Sequence, residues 1–129
     1  MTDALTVIRH AERPTVAFAG GASYQPIIGD DTGAGLPIRT GIQTSPPGYQ
    51  TALHSHPYAE VLTVLAGRGE AWLEGEKEVV SLEPGMSIAF PANRVHAFRT
   101  IGDQPLVTVG IHTFGKRIVN YVEPPAGGG

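Results

Sequence analysis

The sequence predicts an all-β sandwich or barrel, and three observations carry that prediction. Short runs rich in β-branched and aromatic residues recur about every ten residues, with turn signals between them. Seventeen Gly and eleven Pro are spread along the 129 residues instead of being clustered, so they punctuate turns. No run of ten or more residues reads as a helix, and the nearest candidate, residues 51–61, is interrupted by Pro57.

Taken in order, the runs LTVIR at 5–9 and TVAF at 15–18 predict a leading strand pair within residues 4–18. Small sandwiches with open edge strands tend to associate, so these residues are expected to make homodimer contacts. His10 and Arg9 belong to that structural region. GDDTGAG at 29–35 has a phosphate-loop look, but it lacks the Lys-Ser/Thr ending and opens no helix, so it predicts a turn. LPIRTGIQ at 36–43, EVLTVLAG at 60–67, EAWLEG at 70–75 and EVVSL at 78–82 follow as strands, with EGEKE at 74–78 as a solvated hairpin tip. SIAF at 87–90, VHAFRTI at 95–101 and LVTVGIHTF at 106–114 complete the set. Met1–Asp3 and the tail EPPAGGG at 123–129 read as flexible ends. The expected division is 1–35 for the N-terminal strands and connecting loop, 36–114 for the barrel core, and 115–129 for the last strand end and tail.

Composition narrows the chemistry. A chain of 129 residues fits one domain. The lack of Cys excludes disulfides, thiolate metal sites and a Cys nucleophile. Nine Lys and Arg against twelve Asp and Glu leave a net charge of −3, without the electrostatic footprint of a nucleic-acid binder. No apolar run reaches the ~18 residues of a membrane span, and the opening MTDALTVIRH has no signal-peptide core. A cytoplasmic protein without nucleic-acid or membrane partners is the expectation.

The five His, at 10, 54, 56, 96 and 112, carry the most information. On an extended strand the side-chain period of 2 turns His54 and His56 to one face. Glu60 follows past Pro57, and sheet pairing can bring His96, at the start of a later strand, beside them. Three neutral imidazoles and a carboxylate suit one divalent transition metal, Fe, Mn, Ni, Co or Zn, and not Ca or Mg, which prefer oxygen shells.

The flanking glycines and prolines sharpen this. Gly48 to Gly67 reads G-YQTAL-H-S-H-PYA-E-VLTVLA-G, which matches the first cupin motif at each fixed position. Gly85 to Thr100 reads G-MSIAF-P-A-N-RV-H-AFR-T and resembles the second, with Asn93 in place of a Gly and Thr100 in place of an Asn. Asn tolerates the left-handed turn nearly as Gly does, so the first departure is mild. The chain therefore resembles a small single-domain cupin (a monocupin of the cupin-2 type) over about residues 36–114. The resemblance implies a jelly-roll β-barrel of two antiparallel sheets and metal-ligand roles for His54, His56, Glu60 and His96.

Other candidates are weaker. Tyr49, Gln50 and Tyr58 flank the ligand strand and are candidates to face a small-molecule substrate. Strand phase puts Leu62 and Val64 inward with Glu60, and Phe98 and Thr100 inward with His96. Phe90 and Ile88 are expected to close a largely apolar pocket wall. His112 is a candidate base or ligand partner. The apolar set Val107, Val109 and Ile111 looks more core-like, which turns His112 toward solvent. Arg39 is a candidate anchor for a substrate carboxylate. Arg94 and Arg99 are expected to be exposed, and Trp72 to pack in the core or at the dimer interface.

Two open positions on a six-coordinate metal suit a dioxygenase of a small enolic, phenolic or diketone-like substrate, and an apolar pocket tilts the reading that way. The same shell suits a non-redox isomerase, lyase or cyclase acting on a sugar acid or polyketide-type intermediate. A non-catalytic binding module is the third alternative.

Overall fold

Among the residues that the computed structural model describes, 4–32 and 35–123, eleven strands form two antiparallel sheets. They are β1 Val16–Ala17, β2 Ser23–Pro26, β3 Arg39–Ser45, β4 His54–Ser55, β5 Glu60–Ala66, β6 Arg68–Leu73, β7 Val80–Leu82, β8 Ser87–Phe90, β9 His96–Ile101, β10 Leu106–His112 and β11 Asn120–Tyr121. One sheet runs β1-β2-β3-β10-β5-β8 and the other β11-β4-β9-β6-β7. The interleaved orders are those of a jelly-roll sandwich, in which consecutive strands switch sheets. No helix among the described residues is long and apolar enough to cross a membrane.

Alternation along the strands sets the core. In β5, Glu60, Leu62 and Val64 point inward and are buried, while Val61 and Thr63 are only half-buried. Leu62 and Val64 meet Ala71, Leu82, Phe90, Phe98 and Leu106 from both sheets in one cluster. Thr100 of β9 donates its hydroxyl to the Ser45 carbonyl of β3 at 3.1 Å, tying one sheet to the other. Gly67, at φ 78°, turns the chain between β5 and β6, and a Cβ there would collide with the Pro105 carbonyl. Asn93 adopts φ 65° and donates its backbone N–H to the His56 carbonyl at 2.7 Å, so this turn is built against the ligand strand.

Several expectations change. Residues 5–9 are not a strand: Leu5 and Val7 stand 92% and 70% exposed, and the chain passes into a 3-10 turn at His10–Glu12. Apolar alternation needs a neighbouring strand to become a ladder, and none lies beside this segment among the described residues. Only Val16–Ala17 of the leading pair is strand, and it pairs within the chain with β2. The strand Ser23–Pro26 has no clear sequence signal, because Gln25 and Pro26 break the strand pattern, yet Pro26 sits at the strand's end, opposite Gly41. GDDTGAG holds a 3-10 turn at Asp30–Thr32. Its Gly33 and Ala34, the expected flexible end Met1–Asp3, and residues 124–129 of the tail lie outside the described residues.

The largest change concerns β10. Its buried residues are Leu106, Thr108 and His112, at 0%, 0% and 6% exposure, while Val107, Val109 and Ile111 are half-buried. β10 lies mid-sheet between β3 and β5, and its inner face looks onto the polar cluster described next. Here the polar phase of the strand is the interior one, so His112 points in and not to solvent.

Candidate metal centre

Three strand starts deliver the cluster. His54 opens β4 and pairs directly with His96, which opens β9, and Glu60 opens β5. His56 follows β4 before Pro57. The ligand atoms of His54, His56, Glu60 and His96 all lie within 4.8 Å of one another. The ring of His54 sits 4.4 Å from that of His96 and 5.1 Å from that of His56. His56, Glu60 and His96 are buried and His54 is half-buried.

Hydrogen bonds at the far side of each ring assign the tautomers. Nδ1 of His54 lies 2.6 Å from the Ala52 carbonyl, Nδ1 of His56 2.6 Å from the Ile118 carbonyl, and Nδ1 of His96 2.9 Å from the Arg94 carbonyl. A carbonyl only accepts, so each Nδ1 carries the proton and each Nε2 presents a lone pair to the centre. Glu60 Oε1 lies 3.1 Å from His56 Nε2 and 3.6 Å from His96 Nε2. Acceptors thus face acceptors, and His96 Nε2 is buried with no hydrogen-bond partner among the described residues. An orphaned buried group of this kind costs ~1–3 kcal/mol. One divalent cation between the four atoms would satisfy them together, and the mixed nitrogen and carboxylate donors fit a transition metal.

Charge states agree with that use. Burial pushes the His54 imidazole down to about 4, against the Ala52 carbonyl and helped by the His96 and His56 rings. Burial pushes the Glu60 carboxyl up, but the His112 N–H, together with the adjoining His56 and His96 imidazoles, outweighs it and holds the group well below its ordinary range. Near neutral pH His54 is neutral and Glu60 is ionised, the states a metal requires.

His112 completes the cluster from β10, where it pairs across the ladder with Glu60. Its Nε2 lies 3.3 Å from Glu60 Oε2 and its Nδ1 2.6 Å from the Tyr58 hydroxyl. With Glu60 ionised, Nε2–H donates to the carboxylate and Nδ1 accepts from Tyr58 O–H. The Tyr58 oxygen accepts the Ile118 N–H at 3.0 Å. The backbone of Ile118 therefore supports His56 through its carbonyl, and Tyr58, hence His112, through its N–H.

The cluster opens into a cavity of about 390 Å³, which Leu62 and Phe98 line together with Tyr49, Gln50 and Thr51. Tyr24, Gln43, Thr108, Arg117 and Tyr121 line it too, so polar groups are set into a wall whose larger share is apolar. Phe90 is not part of that wall: it stacks on the outer side of His96 at 4.1 Å and, with Ile88, lines a separate cavity. Arg39 does not line the metal-side cavity either. Its Nη1 lies 3.2 Å from Asp30 and 3.4 Å from Asp31, residues that the 3-10 turn folds back beside β3. The cation on the cavity wall is Arg117, which no motif marked. Its guanidinium sits 4.9 Å from the Phe18 ring, which in turn stacks on Tyr24 at 5.1 Å. Arg94 and Arg99 are exposed, and Arg99 lies 5.5 Å over a half-buried Trp72.

Comparison with known proteins agrees with this architecture. The family model of the cupin domain matches residues 41–112. Auxin-binding protein T92 of Nicotiana tabacum is 28% identical over 92 residues, covering 65% of this chain and 49% of that protein. The chain thus spans about half the length of that relative. A cupin-like protein from Thermotoga maritima superposes with a TM-score of 0.73 at 24% identity, covering 86% of this chain and 84% of that one. Oxalate decarboxylase of Bacillus subtilis gives 0.78 at 19% identity over 88% of this chain and 31% of that one. The polyketide cyclase RemF of Streptomyces resistomycificus gives 0.77 at 19% over 95% and 89%. At such identities these solved structures share the fold.

Proposed function

The chain belongs to the cupin domain family, and from that premise we propose that it is a metal-dependent enzyme acting on a small molecule bound beside His54, His56, Glu60 and His96. The observation that carries the reading is the convergence of three Nε2 lone pairs and a Glu60 carboxylate oxygen, with His54, His56 and Glu60 lining the adjoining cavity. A divalent transition-metal ion held there would supply a Lewis acid with positions left for substrate oxygen atoms. The chain's own groups do the rest. His112 holds a proton at Nε2 against Glu60 Oε2, and Tyr58 fixes that tautomer. Leu62 and Phe98 keep water from the inner wall, and Thr108 offers a polar contact for orientation.

Of the two reaction classes, the proton held on His112 favours non-redox isomerase, lyase or cyclase chemistry. The oxalate decarboxylase and polyketide cyclase that share the fold are compatible with it. The donor set also suits Fe(II), which keeps a dioxygenase of an enolic or phenolic substrate as the second reading.

Elemental analysis of protein purified without chelator, beside a His54→Ala/His96→Ala double variant, tests the proposal. Near one equivalent of Fe, Mn, Ni, Co or Zn in the parent and none in the variant is the expected result. A parent that holds no metal and takes none up on reconstitution overturns it. Turnover screened with and without O2 then separates the two reaction classes.

A further inference from the structure

We propose that the second cavity, on the side of the sandwich where both sheets end, is a binding site for a small apolar ammonium ion. It stands apart from the metal-side cavity, with which it shares no lining residue. β7 ends one sheet and β8 ends the other, and residues of both line a cleft of about 300 Å³. That volume is at the small end of the range for ligand sites.

Alternation along the chain supplies its charge. Glu76, Glu78 and Val80 line the cleft, while Lys77 and Val79, in the opposite phase, do not. No Lys, Arg or His is among its lining residues, so the charge that faces it is negative. Glu76 is already paired with Arg94 at 3.3 Å. Glu78 makes no ion pair or side-chain hydrogen bond among the described residues, which leaves its carboxylate for an incoming cation.

The remaining walls are apolar and aromatic. Ile88 and Phe90 of β8 face the cleft together with Trp72 and Leu73 of β6, and Ala71, at 1% exposure, reaches it from the core. Aromatic rings attract a cation as well as an apolar body. Arg99 lies 5.5 Å over the Trp72 ring, but Glu70 holds it at 2.8 Å and it does not line the cleft. A neutral ligand gains the apolar walls alone, and an anion is repelled by the two carboxylates. A carbon body carrying one ammonium group gains both the walls and Glu78.

Trp72 is the single tryptophan of the chain, so its emission reports occupancy of the cleft. The probes are 2-phenylethylamine, a cation near neutral pH, and its neutral counterpart 2-phenylethanol, each titrated by Trp72 emission and by calorimetry. The parent should bind the amine about fivefold more tightly than the alcohol, the scale of an exposed ion pair with an aromatic contact. Glu78→Gln should cut that preference to about twofold or less and leave the alcohol unchanged. Glu83→Gln removes the same charge from an exposed position outside the cleft and should keep the preference. Ala89→Phe, at an exposed lining position, should fill the cleft and abolish binding of both probes. Equal affinities in the parent, a preference that survives Glu78→Gln or falls equally in Glu83→Gln, binding that survives Ala89→Phe, or no saturable change in Trp72 emission at millimolar amine overturns the inference. Neither readout needs a metal, so failure here leaves the proposed function standing.

Discussion

His112 Nε2 lies 3.3 Å from Glu60 Oε2, directly across the ladder between β10 and β5, so the carboxylate turns its other oxygen to the three imidazoles. Gly110 leaves room for this, since a Cβ there would come within 3.3 Å of the same Oε2. His112→Ala frees the carboxylate to rotate and should weaken metal binding by about 10- to 100-fold, the usual effect of losing a partner behind a ligand. Tyr58→Phe removes the donor to Nδ1 and should produce a smaller loss in the same direction. Competition against a chromophoric chelator reads both, and unchanged affinity in His112→Ala would remove the positioning role.

The ligands themselves should behave differently from the remaining histidine. His54→Ala or His96→Ala should abolish stoichiometric metal while the far-ultraviolet dichroism of the β fold persists. His10→Ala, exposed in its 3-10 turn, should change neither. A His96→Ala protein that still holds one tight equivalent would remove His96 from the ligand set.

Acid should destabilise the metal-free protein, with a defined sign. The His54 imidazole is held near 4 in the fold against 6.5 when free, so between these values the unfolded chain binds a proton that the folded one does not. Stability is therefore full above about pH 6.5 and falls toward pH 4, by roughly 3 kcal/mol for a shift of this size. Glu60, whose carboxyl is also depressed, adds loss of the same sign at lower pH. Urea midpoints at pH 7.5 and 5 measure this. A midpoint that does not fall at pH 5 would contradict the burial-driven shift.

Leu106 is fully buried where the two sheets meet, among Leu82, Val64 and Ala71. Leu106→Ala should cost about 2–5 kcal/mol in chemical denaturation. A loss under about 1 kcal/mol would mean that the neighbours collapse into the space.

We also propose that two copies associate through the N-terminal residues, because Leu5 and Val7 stand 92% and 70% exposed. Light scattering should give about twice the 13.6 kDa chain mass, and Leu5→Asp/Val7→Asp should halve it. A monomeric parent at micromolar concentration removes this proposal.

The part of the site legible in the sequence is the part encoded by short spacing. His54, His56 and Glu60 lie within seven residues, and His96 is marked by the Gly85, Pro91 and Asn93 turns around it. Asn93 indeed takes the left-handed conformation expected of it. What spacing cannot encode is which residues distant in sequence meet. Tyr58 and His112 are 54 positions apart, and His56 and Ile118 are 62 apart. His112 faces inward against its sequence pattern, because the polar-out rule fails on a strand whose inner face borders a polar centre. Arg39 looked available because nothing in its strand reveals that Asp30 and Asp31 fold back onto it.

Arg117 and Ile118 are neighbours in the chain but serve different tasks: one side chain borders the cavity, and the backbone of the next residue orients Tyr58 through its N–H and His56 through its carbonyl. On the proposed function, a small molecule that displaces this stretch of the cavity wall would also act on the support of a metal-holding imidazole. Binding in the cavity and binding of metal would then be thermodynamically linked, and linkage is reciprocal. Whatever factor the metal contributes to the affinity of the small molecule, the small molecule must return to the metal affinity read by chelator competition.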